Sequence, residues 1–278
     1  MLDRFIFENH LGLRFDGLEN GVYLNYNELR DYSWSYETIN NKISRFHRPI
    51  TSRKLPLTIY CDSEEKAVAV KNRLFELAEA DISAKLPGKI YIGEYYTVGY
   101  ITGSTKNNYL ITKRLCEIEL TFTTDDPTWY KEQTYTFIPT SDNAVGVAVG
   151  GGTDYPYDYT YDFALSLMGQ RITCDSVGDN AFRLLIYGAT TDPTITINGH
   201  AYTVNGSVGN GETLLIDSLN KTVTLTTALG NKINWFDKRS RESYIFEPIS
   251  AGQNTVSWSG TFGFDLTVIE KRSEPRWT

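Results

Sequence analysis

Leu115-Cys116-Glu117-Ile118-Glu119-Leu120-Thr121-Phe122 changes character at nearly every residue. A period of two belongs to a β-strand with one face on a core and the other toward solvent or a neighbour. The run follows the polar stretch Lys106-Asn107-Asn108, read as a turn, and stops at Asp125-Asp126-Pro127. Working upstream, residues 89–92, 96–102 and 55–60 read as further strands. Val22-Tyr23-Leu24 is another, entered through Asp16-Gly17-Leu18-Glu19-Asn20-Gly21 as a hairpin loop. Downstream, short runs at residues 182–187, 194–197, 214–216, 222–226 and 263–270 recur between Asp192-Pro193, Asn198-Gly199, Asn205-Gly206 and Asn210-Gly211. That is the rhythm of a β-sandwich.

One helix interrupts the strands. Ala67, Val70, Leu74, Leu77 and Ala78 recur at helical spacing, widened by Val68 and Phe75 into a face that packs on a sheet. Asp62 with Glu65 forms a capping-box pattern. The spacing predicts a helix over residues 63–80, ending near Asp81 and before Pro87-Gly88. Residues 37–50 are polar with few apolar anchors, which suits a projecting arm or long loop. The break at Asp125-Asp126-Pro127 divides the chain into an N-terminal domain, residues 1–132, and a second sandwich, residues 133–278. Residues 141–154 are small and glycine-rich, without the lysine-bearing pattern of a phosphate loop.

At 278 residues the chain is long enough for two cores. Its 19 Tyr favour strands. The formal charge of −7 disfavours nucleic acid as a held ligand. Cys61, Cys116 and Cys174 are odd in number and far apart, so they read as buried thiols rather than a disulfide frame or zinc site. Met1-Leu2-Asp3-Arg4-Phe5 lacks a signal-peptide core, and the sequence holds no long apolar run, so neither export nor membrane insertion is expected. The sequons at Asn205 and Asn220 therefore carry no weight.

The search for chemistry returns little. His10, His47 and His200 form no two-histidine ligand pattern, no G-x-S-x-G occurs, and Cys174 lacks a nucleophile context. Asp125 and Asp126 are neighbours in an extended segment and point apart, so they read as a turn. Asp154, Asp158, Asp162, Asp175 and Asp179 fit no calcium loop. Tyr155-Pro156-Tyr157-Asp158-Tyr159-Thr160-Tyr161 suits a strand edge, a protein contact or a glycan contact. The expectation is a non-enzyme with no catalytic residues, no cofactor and no metal.

Several stretches together resemble the distal tail (Dit) proteins of long-tailed, non-contractile bacteriophages. They are Tyr60-Cys61-Asp62-Ser63-Glu64-Glu65-Lys66, Thr123-Thr124-Asp125-Asp126-Pro127-Thr128-Trp129-Tyr130, and the glycine-rich loop into Tyr155-Pro156-Tyr157-Asp158-Tyr159. Ile186-Tyr187-Gly188, Asp192-Pro193-Thr194-Ile195-Thr196-Ile197-Asn198-Gly199, Leu215-Ile216-Asp217-Ser218 and Lys221-Thr222-Val223 continue the series. Phe246-Glu247-Pro248-Ile249-Ser250-Ala251-Gly252-Gln253-Asn254 and Arg272-Ser273-Glu274-Pro275-Arg276-Trp277 close it.

The resemblance implies a mainly β protein. Its N-terminal part is a tail-tube-like β-sandwich with one flanking helix and a projecting hairpin arm, and its C-terminal part a galectin-like, jelly-roll-type sandwich. It further implies a hexameric ring, single or stacked, at the virion tail tip. That ring joins tail tube and tape-measure protein to the tail-associated lysin and receptor-binding proteins. DNA passes through it without specific binding, and assembly takes place in the host bacterial cytoplasm. Lys42, Arg45 and Arg48 on the arm are expected to meet acidic neighbours. The galectin sugar set is missing: there is no H-x-N-x-R, and Trp235 is followed by Phe236-Asp237-Lys238. The competing readings are a carbohydrate-binding adhesin, a wall-degrading glycosidase or peptidase, and a tail-tube protein proper.

Overall fold

In the computed structural model, which describes residues 4–108, 114–139 and 170–277, the alternating run forms most of β9 (Leu115–Thr124). Its Cys116, Ile118, Leu120 and Phe122 are buried. Two units fold around separate cores. Described residues up to Lys131, with those from Lys271 on, make the first; Glu132 to Glu270 make the second. The last residues, expected in the second domain, thus belong to the first. Long-range bonds hold them there: Arg30 Nη1 donates to the Pro275 carbonyl at 3.0 Å, and the same guanidinium lies 4.1 Å from the Trp277 ring centroid.

In chain order the first unit contains β1 (Ile6–Glu8), β2 (Arg14–Asp16), β3 (Val22–Leu24), β4 (Ser35–Ile39), β5 (Lys42–His47) and β6 (Thr51–Tyr60). After α1 (Glu64–Ala84) come β7 (Gly88–Ile92), β8 (Tyr95–Asn108) and β9. β9 pairs antiparallel with β6 along its whole length and with the far half of β8. The near half of β8 pairs with β7, and β7 with β1. β8 therefore passes from one sheet to the other. The register slips between Ile101 and Gly103, the bulge expected where a strand turns a sandwich corner. Gly99 marks the bend, because a Cβ there would sit 2.6 Å from the Phe122 ring. Lys106-Asn107-Asn108, read as a turn, lies within β8 instead. The Asp16–Gly21 stretch is also no hairpin loop. It is a 3-10 turn that carries the chain from β2, paired to β1, to β3, paired to β6.

The helix buries Ala67, Val70, Leu74, Leu77 and Ala78, the stripe expected. Its cap is Ser63, not Asp62: Ser63 accepts from the Lys66 amide at 3.2 Å, with Glu64 and Glu65 in the first turn. It also continues past Asp81 to a left-handed Lys85. Asp81 is buried, and Oδ1 accepts the His10 amide at 2.8 Å and meets His10 Nδ1 at 2.6 Å. The expected end near Asp81 thus falls three residues short, and Asp81 sits buried on the helix with a partner 71 residues away.

β10 (Trp129–Phe137) and β21 (Gly263–Arg272) carry the chain across the two boundaries. The second unit contains β11 (Gln170–Cys174), β12 (Ala181–Tyr187), β13 (Thr190–Thr191), β14 (Thr194–Ile197), β15 (His200–Thr203) and β16 (Ser207–Val208). It continues with β17 (Thr213–Asp217), β18 (Thr222–Thr226), β19 (Lys232–Asn234), β20 (Gly252–Trp258) and β21. One sheet runs β19-β18-β17-β12-β21 and the other β11-β20-β14-β15. Phe182, Leu184, Ile186, Ile195, Tyr202, Val256 and Leu266 share the core between them. Phe137 stacks on Phe264 at 4.5 Å, with Trp258 edge-on to both. The architecture is the mainly β pair of sandwiches with one flanking helix and an arm that the sequence led us to expect.

Candidate functional site

The arm is β4 and β5, joined through Asn40 and Asn41 at φ 51° and 59°. Two consecutive left-handed residues make the tight turn whose twist suits a hairpin, and asparagine tolerates that conformation. Register decides what each face carries. Tyr36 lies opposite Phe46, Thr38 opposite Ile43, and a bulge after Glu37 leaves Ser44 unpaired. One face therefore presents Tyr36, Thr38, Ile43 and Phe46, and the other Glu37, Ile39, Lys42, Arg45 and His47. Among the described residues these strands pair only with each other.

Tyr36, Ile43 and Phe46 are 60%, 53% and 57% exposed. The arm is uncovered, as its few apolar anchors led us to expect, and its charged residues lie on one side. A two-stranded hairpin alone is marginal in water. Covering each of these three half-exposed side chains would contribute about 1–2 kcal/mol.

The arm's base is fastened to its own unit. Arg48 Nη1 donates to the Pro127 carbonyl at 3.0 Å and to Thr128 Oγ1 at 3.3 Å, and Nη2 donates to Ser273 Oγ at 2.7 Å. Its guanidinium lies 4.1 Å from the Trp34 ring centroid, and Trp34 meets Phe46 edge-on at 6.2 Å. Arg48, expected to reach an acidic neighbour, is consequently a clamp within the unit. Lys42 and Arg45 do project on the exposed polar face.

The remaining singled-out residues are structural. Asp126 accepts from the hydroxyls of Thr128 and Tyr130 and orders the turn before β10. Burial first, and that bond second, hold the Tyr130 hydroxyl far above its usual pKa. His200 Nε2 meets the Tyr244 carbonyl at 2.8 Å, and His47 is exposed on the arm. Cys61, Cys116 and Cys174 are free and buried, with burial pushing the Cys61 and Cys174 thiols upward. Trp235 packs against the core edge, over Gly206. Among the described residues no three His, Cys, Asp or Glu side chains gather as for a metal, and no helix is long and apolar enough to cross a membrane. The Tyr155–Tyr161 cluster, the glycine-rich loop, and Asp154, Asp158 and Asp162 lie outside the described residues.

Sequence reasoning missed Trp34, Arg53 and the tail contacts. Arg53 alone left a signal, since it occupies the core-facing row of β6 with Leu55, Leu57 and Ile59.

No protein-family model and no curated protein matches the sequence. Solved structures of phage proteins do, and the chain shares their fold over nearly its whole length. The chain is similar to the Dit protein of phage SPP1, described as a paradigm of hub adsorption apparatus in Gram-positive infecting phages. The TM-score is 0.56 at 12% identity, covering 96% of this chain and 99% of that one. It is similar also to a chain of the phage P2 baseplate in its activated conformation, with Ca and with Sr. There the TM-score is 0.58 at 12% identity, covering 99% and 100%. At such identity the likeness is one of fold.

Proposed function

We propose that the chain is a structural subunit of a phage tail, a hub that closes into a hexameric ring at the distal tip. The ring joins tail tube and tape-measure protein to the tail-associated lysin and receptor-binding apparatus. It leaves a channel for DNA, and bond chemistry is no part of its work. The observation that carries this reading is the solvent-exposed hairpin, aromatic on one side and charged on the other, on a fold of the hub type.

Identical subunits in a closed ring use two different surfaces in each contact. An arm that its own unit leaves uncovered suits one of them. The net charge of −7 fits a conduit, since a strongly basic lining would hold DNA. The galectin sugar set is missing from the sequence, and Trp235 is half-buried against the edge of the second unit's core.

Mass photometry of the purified chain across a concentration series, with negative-stain microscopy, tests the proposal. Six-membered rings are the expected result. A monomer at every concentration, alone and with other tail components, overturns it, and long tubes would make the chain a tube protein instead.

A further inference from the structure

The first unit pairs many of its charges within itself. Arg4 holds Asp16 and Glu19, Lys54 holds Glu119, Lys89 holds Glu8, and Lys131 holds Glu94. Two groups of exposed charges stand apart from this pattern, with no ion-pair partner among the described residues. One is on the arm: Lys42 and Arg45, with Glu37 across from Arg45. The other is on α1: Arg73, Glu76 and Glu79.

The helix explains why its own group stays unpaired. Residues three apart are neighbours on a helix surface, so Arg73, Glu76 and Glu79 form one row. That row is turned away from the buried stripe of Ala67 to Ala78. Three or four residues from Glu79 stand Phe75, Glu76, Ile82 and Ser83, none of them a cation. Glu76 has only Arg73 at such a distance, so one guanidinium flanks two carboxylates. Lys106 reaches this helix from β8, but it is engaged. Its Nζ lies 4.4 Å from the Phe75 ring centroid and donates to Ser104 Oγ at 3.0 Å.

The two groups match in sign and in length. At strand rise, Arg45 and Lys42 lie about 10 Å apart along the arm. At helical rise, Arg73 to Glu79 spans about 9 Å. Laid side by side, Arg45 and Lys42 meet Glu76 and Glu79, and Glu37 meets Arg73. One chain carries both halves of the match, on two different surfaces, as a head-to-tail ring requires.

We infer that the outer face of α1 is the seat of the arm of a second copy, held by Lys42 and Arg45 on Glu76 and Glu79. The inference rests on the ring reading and names where on the next subunit the arm lands. The aromatic side of the arm turns to the remainder of the same contact.

Two charge-reversed full chains test it: Lys42→Glu with Arg45→Glu, and Glu76→Lys with Glu79→Lys. Each alone sets like charges against each other and should need at least about tenfold more protein to form rings in mass photometry. Mixed in equal amounts, the two should form rings at close to the wild-type concentration. In an alternating ring every reversed arm lands on a reversed helix and every native arm on a native helix. Six members, an even number, permit that alternation.

Failure of each variant alone with recovery on mixing supports the inference, and misfolded chains would not recover. Rings of either variant at the wild-type concentration overturn it, as does a mixture of folded variants that forms none. All four positions are exposed, so each dissociated chain should melt within about 2 °C of the wild type. Should one melt lower, the single changes Lys42→Glu and Glu79→Lys take their place and decide by the same rule. A wild type that assembles beside unaffected variants defeats the seat alone. A wild type that never assembles defeats the ring reading and the seat together.

Discussion

Two hairpins of this chain begin with the same turn chemistry and end in opposite surroundings. β4 and β5 turn through Asn40-Asn41, and β14 and β15 through Asn198-Gly199, all four at positive φ. Both place an aromatic across from a large side chain: Tyr36 opposite Phe46, and Tyr202 opposite Ile195. Yet Ile195, Ile197 and Tyr202 are buried, whereas Tyr36, Ile43 and Phe46 are more than half exposed. The difference lies at the strand edges. β14 finds a second partner in β20 and sits in a sheet that covers a core, and β4 and β5 have only each other. Local sequence suffices to make a hairpin, and it does not say what covers one.

If that contrast is sound, truncation must separate the two. Ile195→Ala should cost about 2–5 kcal/mol in urea denaturation, as the loss of buried methyl groups does. Ile43→Ala should stay within about 0.5 kcal/mol. Comparable losses would mean that the arm is covered within one chain.

Charge placed on the arm probes its other life. Tyr36→Asp with Ile43→Asp should raise the concentration needed for assembly by about tenfold or more, roughly 1.4 kcal/mol, with the melting temperature of the dissociated chain unmoved. Mass photometry reads the first and calorimetry the second.

A smaller effect belongs to the buried hairpin alone. The Tyr202 hydroxyl donates to the Glu247 carbonyl at 2.7 Å, and burial, aided by the Glu247 charge, holds its pKa well above the ordinary value. The unfolded chain loses that proton near pH 10, about the free tyrosine value, while the folded chain keeps it. Stability is therefore complete below about pH 10 and falls as the pH rises further. Tyr202→Phe should flatten this fall at a cost of about 1 kcal/mol at neutral pH, measured by denaturation at stepped pH.

The turns set the finest contrast. Alanine for Asn198 should lower stability by about 1 kcal/mol, because it removes the side chain that favours the left-handed conformation and accepts the Thr255 amide at 2.9 Å. The same change at Asn40 should leave the unfolding midpoint in place and weaken assembly a few-fold.

Much of this was legible before any coordinates. Apolar alternation located β9, β12, β14 and β18, because a strand with one buried face must repeat every second residue. The helical stripe from Ala67 to Ala78 was legible for the corresponding reason at its own period. The candidate site was legible only as a place. Residues 37–50 stood out by polarity, but the amphipathic split of the arm depends on a bulge after Glu37 that no pattern announces. Arg48 read as a free cation because its partners, Pro127 and Ser273, are 79 and 225 residues away.

The sequence by itself determined which segments become strands, where the helix lies and where tight turns fall, since those follow from each residue's own backbone preference and its near neighbours. Only the tertiary structure decided that the tail returns to the first unit, that Arg53 is buried short of acceptors and that the arm stands uncovered. Each of those depends on which distant groups arrive beside a residue, and burial and charge compensation are properties of that meeting, not of the residue alone.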